Sequence, residues 1–354
     1  MKKIFLIKLF VLCTNILFAQ TKFEYNNYIY SITDTVSGIT YGFDSGSDRT
    51  NIIDKGLIKY KTTGYIPFFN TSGKIKTLKT IRLKENISEA IGINANRAQA
   101  QILISKKDSI ITCNIPDVLF GTKLMRKNIL TFDNKNNSFK VISKLPDDIS
   151  LYHKMSLKRN FIEERYYVEF MINGKEMKFL IDTASSNAIT CNDNKILNKS
   201  GDTYIYNSLN GFKVETQTSQ KYTSNSISHD DFDIKNDVIY FHKGKNIVGN
   251  SFFLNYENVI FDLKNKAIYL KNEFRSVHPF SDEILFMLNS ENNIEIGFIN
   301  MNSEYYKSGF RVGDVIIFDD QSLEEAIKNN SCNARQIINE YLNNNKQLPK
   351  IVKK

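Results

Sequence analysis

Tryptophan is absent from the chain, and its 354 residues include only five prolines, four cysteines and four histidines. The histidines, His153, His229, His242 and His278, lack metal-ligand spacing, and neither a His-Glu-x-x-His helix nor a Gly-x-Ser-x-Gly elbow occurs. Zinc and serine-hydrolase chemistry are therefore poor readings. The cysteines show no Cys-x-x-Cys spacing, which reads as buried small residues, with one disulfide open to them in an oxidising compartment. No stretch after the N-terminus reaches the roughly 20 apolar residues that a membrane-spanning helix needs. The net charge is +9, but the basic residues are spread along the chain rather than gathered into an arm. Nucleic-acid binding is not implied, only a mild preference for anionic surfaces.

What is present leans towards strands. Phenylalanine (25) and tyrosine (18) are plentiful, as is isoleucine, and such residues suit pleated, half-buried surfaces. The length suits two or three domains with a core of ordinary size. At the N-terminus, Lys2-Lys3 precedes apolar runs at Leu9 to Leu12 and Ile16 to Ala19, ending in Phe18-Ala19-Gln20. Residues 1–19 resemble a secretory signal peptide cleaved near Ala19, although Lys8, Asn15 and Leu17 depart from the usual pattern. Leu12 stands before Cys13 where a lipid-anchored precursor has a small residue, so an exported, otherwise soluble protein is expected, periplasmic or extracellular. Cleavage removes Lys2, Lys3 and Lys8 and no acid, taking the charge from +9 to +6, and leaves Cys113, Cys191 and Cys332.

Two short segments carry the chemistry. Tyr41-Gly42-Phe43-Asp44-Ser45-Gly46-Ser47 and Phe179-Leu180-Ile181-Asp182-Thr183-Ala184-Ser185-Ser186 each read as an apolar strand, an acid, a hydroxyl and a small residue. Two carboxyl groups a few ångström apart cannot both ionise and share a proton. One can then act as base on a bound water while the other donates to a carbonyl oxygen. The small residue after each hydroxyl lets the turns approach closely, and Ser45 and Thr183 can lock them by hydrogen bonds.

The match extends downstream. Val118-Leu119-Phe120-Gly121 and Phe132-Asp133-Asn134-Lys135-Asn136 follow the first turn; Asn246-Ile247-Val248-Gly249 and Phe261-Asp262-Leu263-Lys264-Asn265 follow the second. The offset from Gly to Asp is 12 residues in one copy and 13 in the other, so the chain holds a duplicated unit. In the second copy, Tyr166 to Ile172 alternates into Asn173-Gly174 and Met177 to Ile181 returns, a hairpin signal. Asn210-Gly211 marks a further hairpin where a flap over a cleft would sit, with Ser72-Gly73 its counterpart. Ser143 to Asn160 reads as a linker with at most one short element, and a second break falls near Arg275 to Asp282, around Pro279.

These residues together resemble the aspartic proteases of the retropepsin and pepsin type, over roughly residues 22 to 275. The resemblance implies a mainly β fold of two pseudo-symmetric β-barrel lobes, 22–145 and 160–275. It also implies a dyad of Asp44 and Asp182, and no metal or organic cofactor. By the same resemblance Ser45 and Thr183 form a hydroxyl network beneath the dyad, while Gly121 and Gly249 pack behind the Asp loops. Gly46, Ser47, Ala184 and Ser185 complete the loops. Ser47 and Ser185 are expected to hydrogen-bond the ionised carboxylates and lower their pKa, giving a mildly acidic optimum. Ala184 departs from the family's Gly, putting the second loop's position in doubt. Asp44 follows the expected cleavage point by only 25 residues, so control by substrate access or by the C-terminal domain is expected rather than a long pro-segment.

The C-terminal region, 280–350, has a different character. Ile294 to Ile299 reads as a strand, Ser303 to Tyr306 as a helix start, and Gly309-Phe310-Arg311-Val312-Gly313-Asp314-Val315-Ile316 resembles the bacterial PDZ domain. A turn at Gly313-Asp314, a buried strand over Val315 to Phe318 and a later helix over Leu323 to Asn330 or Ala334 to Leu342 are expected. PDZ domains bind peptide ends by strand addition. The resemblance thus implies an exported endopeptidase acting on extended polypeptide, with a peptide ligand for the PDZ-like domain. The alternative is a catalytically silent envelope protein using the same domains for peptide binding or assembly.

Overall fold

Alternating apolar side chains build the hairpin that delivers Asp182. In the strand Arg165–Ile172, Tyr166, Val168, Phe170 and Ile172 are buried while Met171 is exposed, the two-residue period of a strand covered on one face. Asn173 and Gly174 then take positive φ, 48° and 83°, as a two-residue hairpin turn requires. The chain returns as Lys175–Asp182, pairing Ile172 with Lys175 and Tyr167 with Leu180. Ile29–Thr33 and Thr40–Asp44 form the corresponding hairpin of the first unit.

These elements come from a computed structural model that describes residues 21–26, 29–69, 75–83, 91–93, 99–104, 115–210, 213–234, 238–274, 283–288, 293–329, 337–338, 340–341 and 351–353. The expected signal peptide, Ser72-Gly73, Cys113, Gly211, His278, Pro279 and Cys332 lie outside the described residues. Among those described, no helix is long and apolar enough to cross a membrane.

The duplication read from the sequence is a duplication of topology. In the first unit Thr40–Asp44 runs parallel to Val118–Gly121, which pairs antiparallel with Thr50–Ile53. Thr50–Ile53 runs parallel to Gln99–Ile104, which pairs antiparallel with Ile75–Leu83 and through it with Tyr60–Phe69. In the second unit the same relations, in the same order, join Lys175–Asp182, Ile247–Gly249, Ile189–Cys191, Ile239–Phe241, Lys213–Thr223 and Lys199–Asn210. The fold is mainly β, but neither sheet closes into a barrel among the described residues.

A third sheet, six-stranded, joins the units. Ile129–Asp133 pairs with Tyr256–Asp262, Phe132 opposite Val259, and each brings its own hairpin partner, Ser138–Ile142 and Ala267–Glu273. The repeated Phe-Asp-x-Lys-Asn segments are the turns of these two hairpins. Asp133 accepts the backbone N–H of Asn136 (3.0 Å) and its side-chain amide (2.8 Å), and Asp262 accepts the same groups of Asn265 (3.2 and 2.7 Å). The outer strands are Thr21–Lys22 and His153–Ser156. The segment Ser143 to Asn160 is therefore more than a linker: His153–Ser156 extends this sheet, and Lys158–Asn160 pairs with Arg165–Ile172. Each added strand pairs backbone donors and acceptors that its neighbour would otherwise leave to water. One continuous buried cluster, from Phe23 to Leu270, spans both units.

The C-terminal region has its own cluster, including Phe286, Ile294, Ile296, Ile316, Phe318 and Leu323. Ser303 caps the helix Glu304–Lys307 by accepting the Tyr306 N–H at 3.2 Å, Gly313 turns at φ 89°, and Gln321–Asn329 is helical. The expected strand is shorter, Ile316–Phe318, with Val315 held only by a bridge to Glu295. Of Ala334 to Leu342, only 337–338 and 340–341 are described. Ile294–Asn300 pairs with Ile284–Leu288 on one side and with Lys199–Asn210 on the other. Hydrogen bonding thus runs across the break read near Pro279.

Candidate active site

Each acidic turn is launched from a pair of parallel strands. Asp44 stands in register with Gly121 and Asp182 with Gly249. A Cβ on Gly121 would lie 2.3 Å from the Arg49 carbonyl oxygen, and one on Gly249 2.0 Å from that of Asn187. Without those atoms each loop folds back onto the neighbouring strand. Thr122 N–H then donates to the Ser47 carbonyl at 2.9 Å and Asn250 N–H to that of Ser185 at 2.7 Å.

The loops are bonded to each other through their hydroxyls. Ser45 N–H donates to Thr183 Oγ1 and Thr183 N–H to Ser45 Oγ, both at 3.0 Å. The hydroxyls in turn donate to backbone carbonyls beyond, Ser45 Oγ to Ile181 (2.9 Å) and Thr183 Oγ1 to Phe43 (2.7 Å). Ser45 and Thr183 are buried, where bonds shielded from water hold most firmly.

The two carboxyl groups converge over Gly46. Its backbone N–H donates to Asp44, while a Cβ at Gly46 would fall 2.5 Å from Cγ of Asp182. On the other loop Ala184 N–H donates to Asp182 Oδ1 at 3.1 Å. Neither Gly46 nor Ala184 has positive φ, so the exchange of Gly for Ala carries no backbone strain. What keeps residue 46 a glycine is the opposing carboxylate.

Electrostatics follow from this convergence. Both acids are partly covered, so water reaches them, yet loss of solvation dominates their proton affinities. Burial first, then the charge of Asp182, pushes Asp44 up to about 7, against the pull of Arg165, the Gly46 N–H and the Asn51 amide. Burial also raises Asp182, opposed by the Ala184 N–H, Arg165 and the Ser185 N–H. The pair titrates as a unit, with one proton held into the neutral range.

Ser47 does not fill the role expected of it. Its hydroxyl donates to the Arg49 carbonyl at 3.1 Å, and the side-chain donor on Asp44 is instead Asn51, whose Nδ2 lies 3.1 Å from Oδ2. Ser185 acts on Asp182 through its backbone N–H. Asn51, Gln101 and Arg165 escaped the sequence reading. Asn51 follows the polar Asp48-Arg49-Thr50 and precedes only Ile52-Ile53, so nothing in its local sequence marks it.

The hairpins expected to act as flaps follow each acid. Their strands pair out to Phe69 with Ile75 and Asn210 with Lys213. Cys191 is a buried free thiol, its pKa raised by burial.

No family model matches the chain, and no curated protein matches it. Among solved structures it is similar to a retropepsin-like aspartic protease from Rickettsia conorii. That match is 16% identical, with a TM-score of 0.25, and covers 34% of this chain and 90% of that one. It is also similar to Basic 7S globulin from soybean, 9% identical, with a TM-score of 0.37, covering 71% of this chain and 94% of that one.

Proposed function

We propose that the chain is an exported aspartic endopeptidase of the retropepsin and pepsin type that hydrolyses extended polypeptide, with Asp44 and Asp182 as its dyad. The observation that carries this reading is the convergence of both carboxyl groups over Gly46 on loops cross-bonded by Ser45 and Thr183. With one proton between them, the ionised carboxylate takes a proton from a bound water as its oxygen attacks the amide carbon. The protonated carboxyl donates to the carbonyl oxygen, and the tetrahedral intermediate collapses as the leaving nitrogen takes up a proton. The long hairpins after each acid would cover the substrate. The PDZ-like C-terminal region would take a peptide end by strand addition along the side of Ile284–Leu288 that ends its sheet among the described residues.

A second reading, a catalytically silent envelope protein that binds peptides or assembles through the same surfaces, rests on Ala184 standing where the family pattern has Gly, although the backbone there is unstrained. Incubation with an unfolded protein, with and without pepstatin, separates them. Pepstatin-sensitive cleavage that disappears in both Asp44→Asn and Asp182→Asn supports the enzyme, while full activity in either variant refutes the dyad. A silent wild type that gains cleavage on Ala184→Gly would instead support the second reading and trace the silence to that methyl.

A further inference from the structure

Asp44 is held differently from Asp182, and the difference runs into the sheet behind it. Asn51 and Gln101 are register partners on adjacent parallel strands and are buried, at 2% and 1% exposure. Gln101 Nε2 donates to Asn51 Oδ1 at 2.6 Å, and Asn51 Nδ2 donates to Asp44 Oδ2 at 3.1 Å. An amide can present either its oxygen or its nitrogen to a neighbour. With Gln101 occupying the oxygen, only the N–H face is left for Asp44.

The second unit lacks this arrangement. Asn51 stands opposite Leu119, two residues before Gly121; the position so related to Gly249 is Thr190, opposite Ile247. Thr190 Oγ1 accepts from Asn187 Nδ2 at 3.2 Å, and the donors acting on Asp182 are backbone N–H groups. A duplicated topology therefore holds two acids with unequal donors.

We propose that Asn51, locked in one amide orientation by Gln101, is a positioning residue that fixes Oδ2 of Asp44 and favours its ionised form, making the two halves of the dyad unequal. The inference rests on Asp44 and Asp182 forming one coupled pair. The charged groups that act on Asp44 are Asp182 across the site and Arg165 on the strand beside Asp182. Neither is moved by changing the amides, so the amide contribution can be read separately. An N–H aimed at a carboxylate stabilises the charged form, and its removal raises the proton affinity.

The test is carboxyl carbon NMR of the full chain labelled at aspartate, with the Asp44 signal assigned by its loss in Asp44→Asn. Asn51→Leu should move the Asp44 titration upward by about one pH unit, the scale of one bond to a charged group. Gln101→Leu should move it in the same direction but less, and the double variant no further than Asn51→Leu alone, because Gln101 acts through Asn51. In the wild type, the Asn51 side-chain amide resonances should titrate together with Asp44; this needs no variant and stands even where a substitution prevents folding. An Asn51 amide that stays still while Asp44 titrates, or an Asp44 titration unmoved in a folded Asn51→Leu, overturns the proposal. Turnover is not the readout, so a silent wild type would count against the endopeptidase reading without touching this one. If turnover is measurable, the alkaline limb of its pH profile should shift with the NMR titration.

Discussion

Asp44 shows what the site costs the fold. Its proton affinity is raised from an ordinary 3.8 to about 7, so between those values the folded chain keeps a proton that the unfolded chain has released. The contribution of Asp44 to stability therefore falls as pH rises from about 4 to about 7 and is level outside that window. Asp44→Asn removes the penalty and should melt above the wild type, by a margin that opens across the window and then holds. Each tenfold difference in proton affinity is worth about 1.4 kcal/mol. Thermal midpoints of both proteins across the pH range check this, and a margin independent of pH would contradict it. At this scale the sequence was readable where the chemistry is local: acid, hydroxyl and small residue lie side by side at Asp44 and Asp182. It was unreadable where partners meet through pairing, since Gln101 reaches Asn51 only by strand register.

Among the elements, the parallel strand pairs behind the acids are the parts least able to change. A methyl at Gly249 would meet two backbone oxygens, of Asn187 at 2.0 Å and Ser185 at 2.7 Å, and backbone cannot step aside as a side-chain tip can. Gly249→Ala should cost about 1–3 kcal/mol through overpacking and displace the Asp182 loop. Gly201→Ala is the control, since its Cβ would find nothing nearer than 3.4 Å. Urea titration of both variants checks the contrast, and equal midpoints would mean that the loop gives way freely. The Asn173-Gly174 hairpin was legible because its two residues suit the positive φ that such a turn needs. The segments at Asp133 and Asp262 were read only as repeats, since the bonds from Asn136 and Asn265 that make them turns show only in the fold. His153–Ser156 was not legible, because an edge strand is defined by the neighbour it pairs with, here Ala267–Glu273, and polar residues along it read as a linker.

At the scale of the molecule, the duplicated units differ in what borders their long hairpins. Tyr60–Phe69 ends its sheet among the described residues, whereas Lys199–Asn210 is flanked by Ile294–Asn300 of the C-terminal region. That junction is built of more than ladder bonds. The rings of Tyr204 and Phe298 stack at 5.5 Å, Met301 N–H donates to the Thr203 carbonyl at 2.9 Å, and Asn302 Nδ2 donates to Asp202 Oδ1 at 2.6 Å. Anything that shifts the C-terminal strand must therefore strain or release the hairpin that follows Asp182. We predict that Phe298→Ala, a buried ring removed at a cost of about 3 kcal/mol, speeds amide exchange at Tyr204 to Tyr206 while leaving Tyr60 to Phe69 at its wild-type rate. Local opening is governed by the contacts that a segment keeps, so the effect should concentrate on the strand that loses the ring. Hydrogen exchange followed by mass spectrometry resolves the two hairpins. Equal acceleration in both would show a general loosening, and no acceleration in either would show that the C-terminal region rests against the hairpin without holding it.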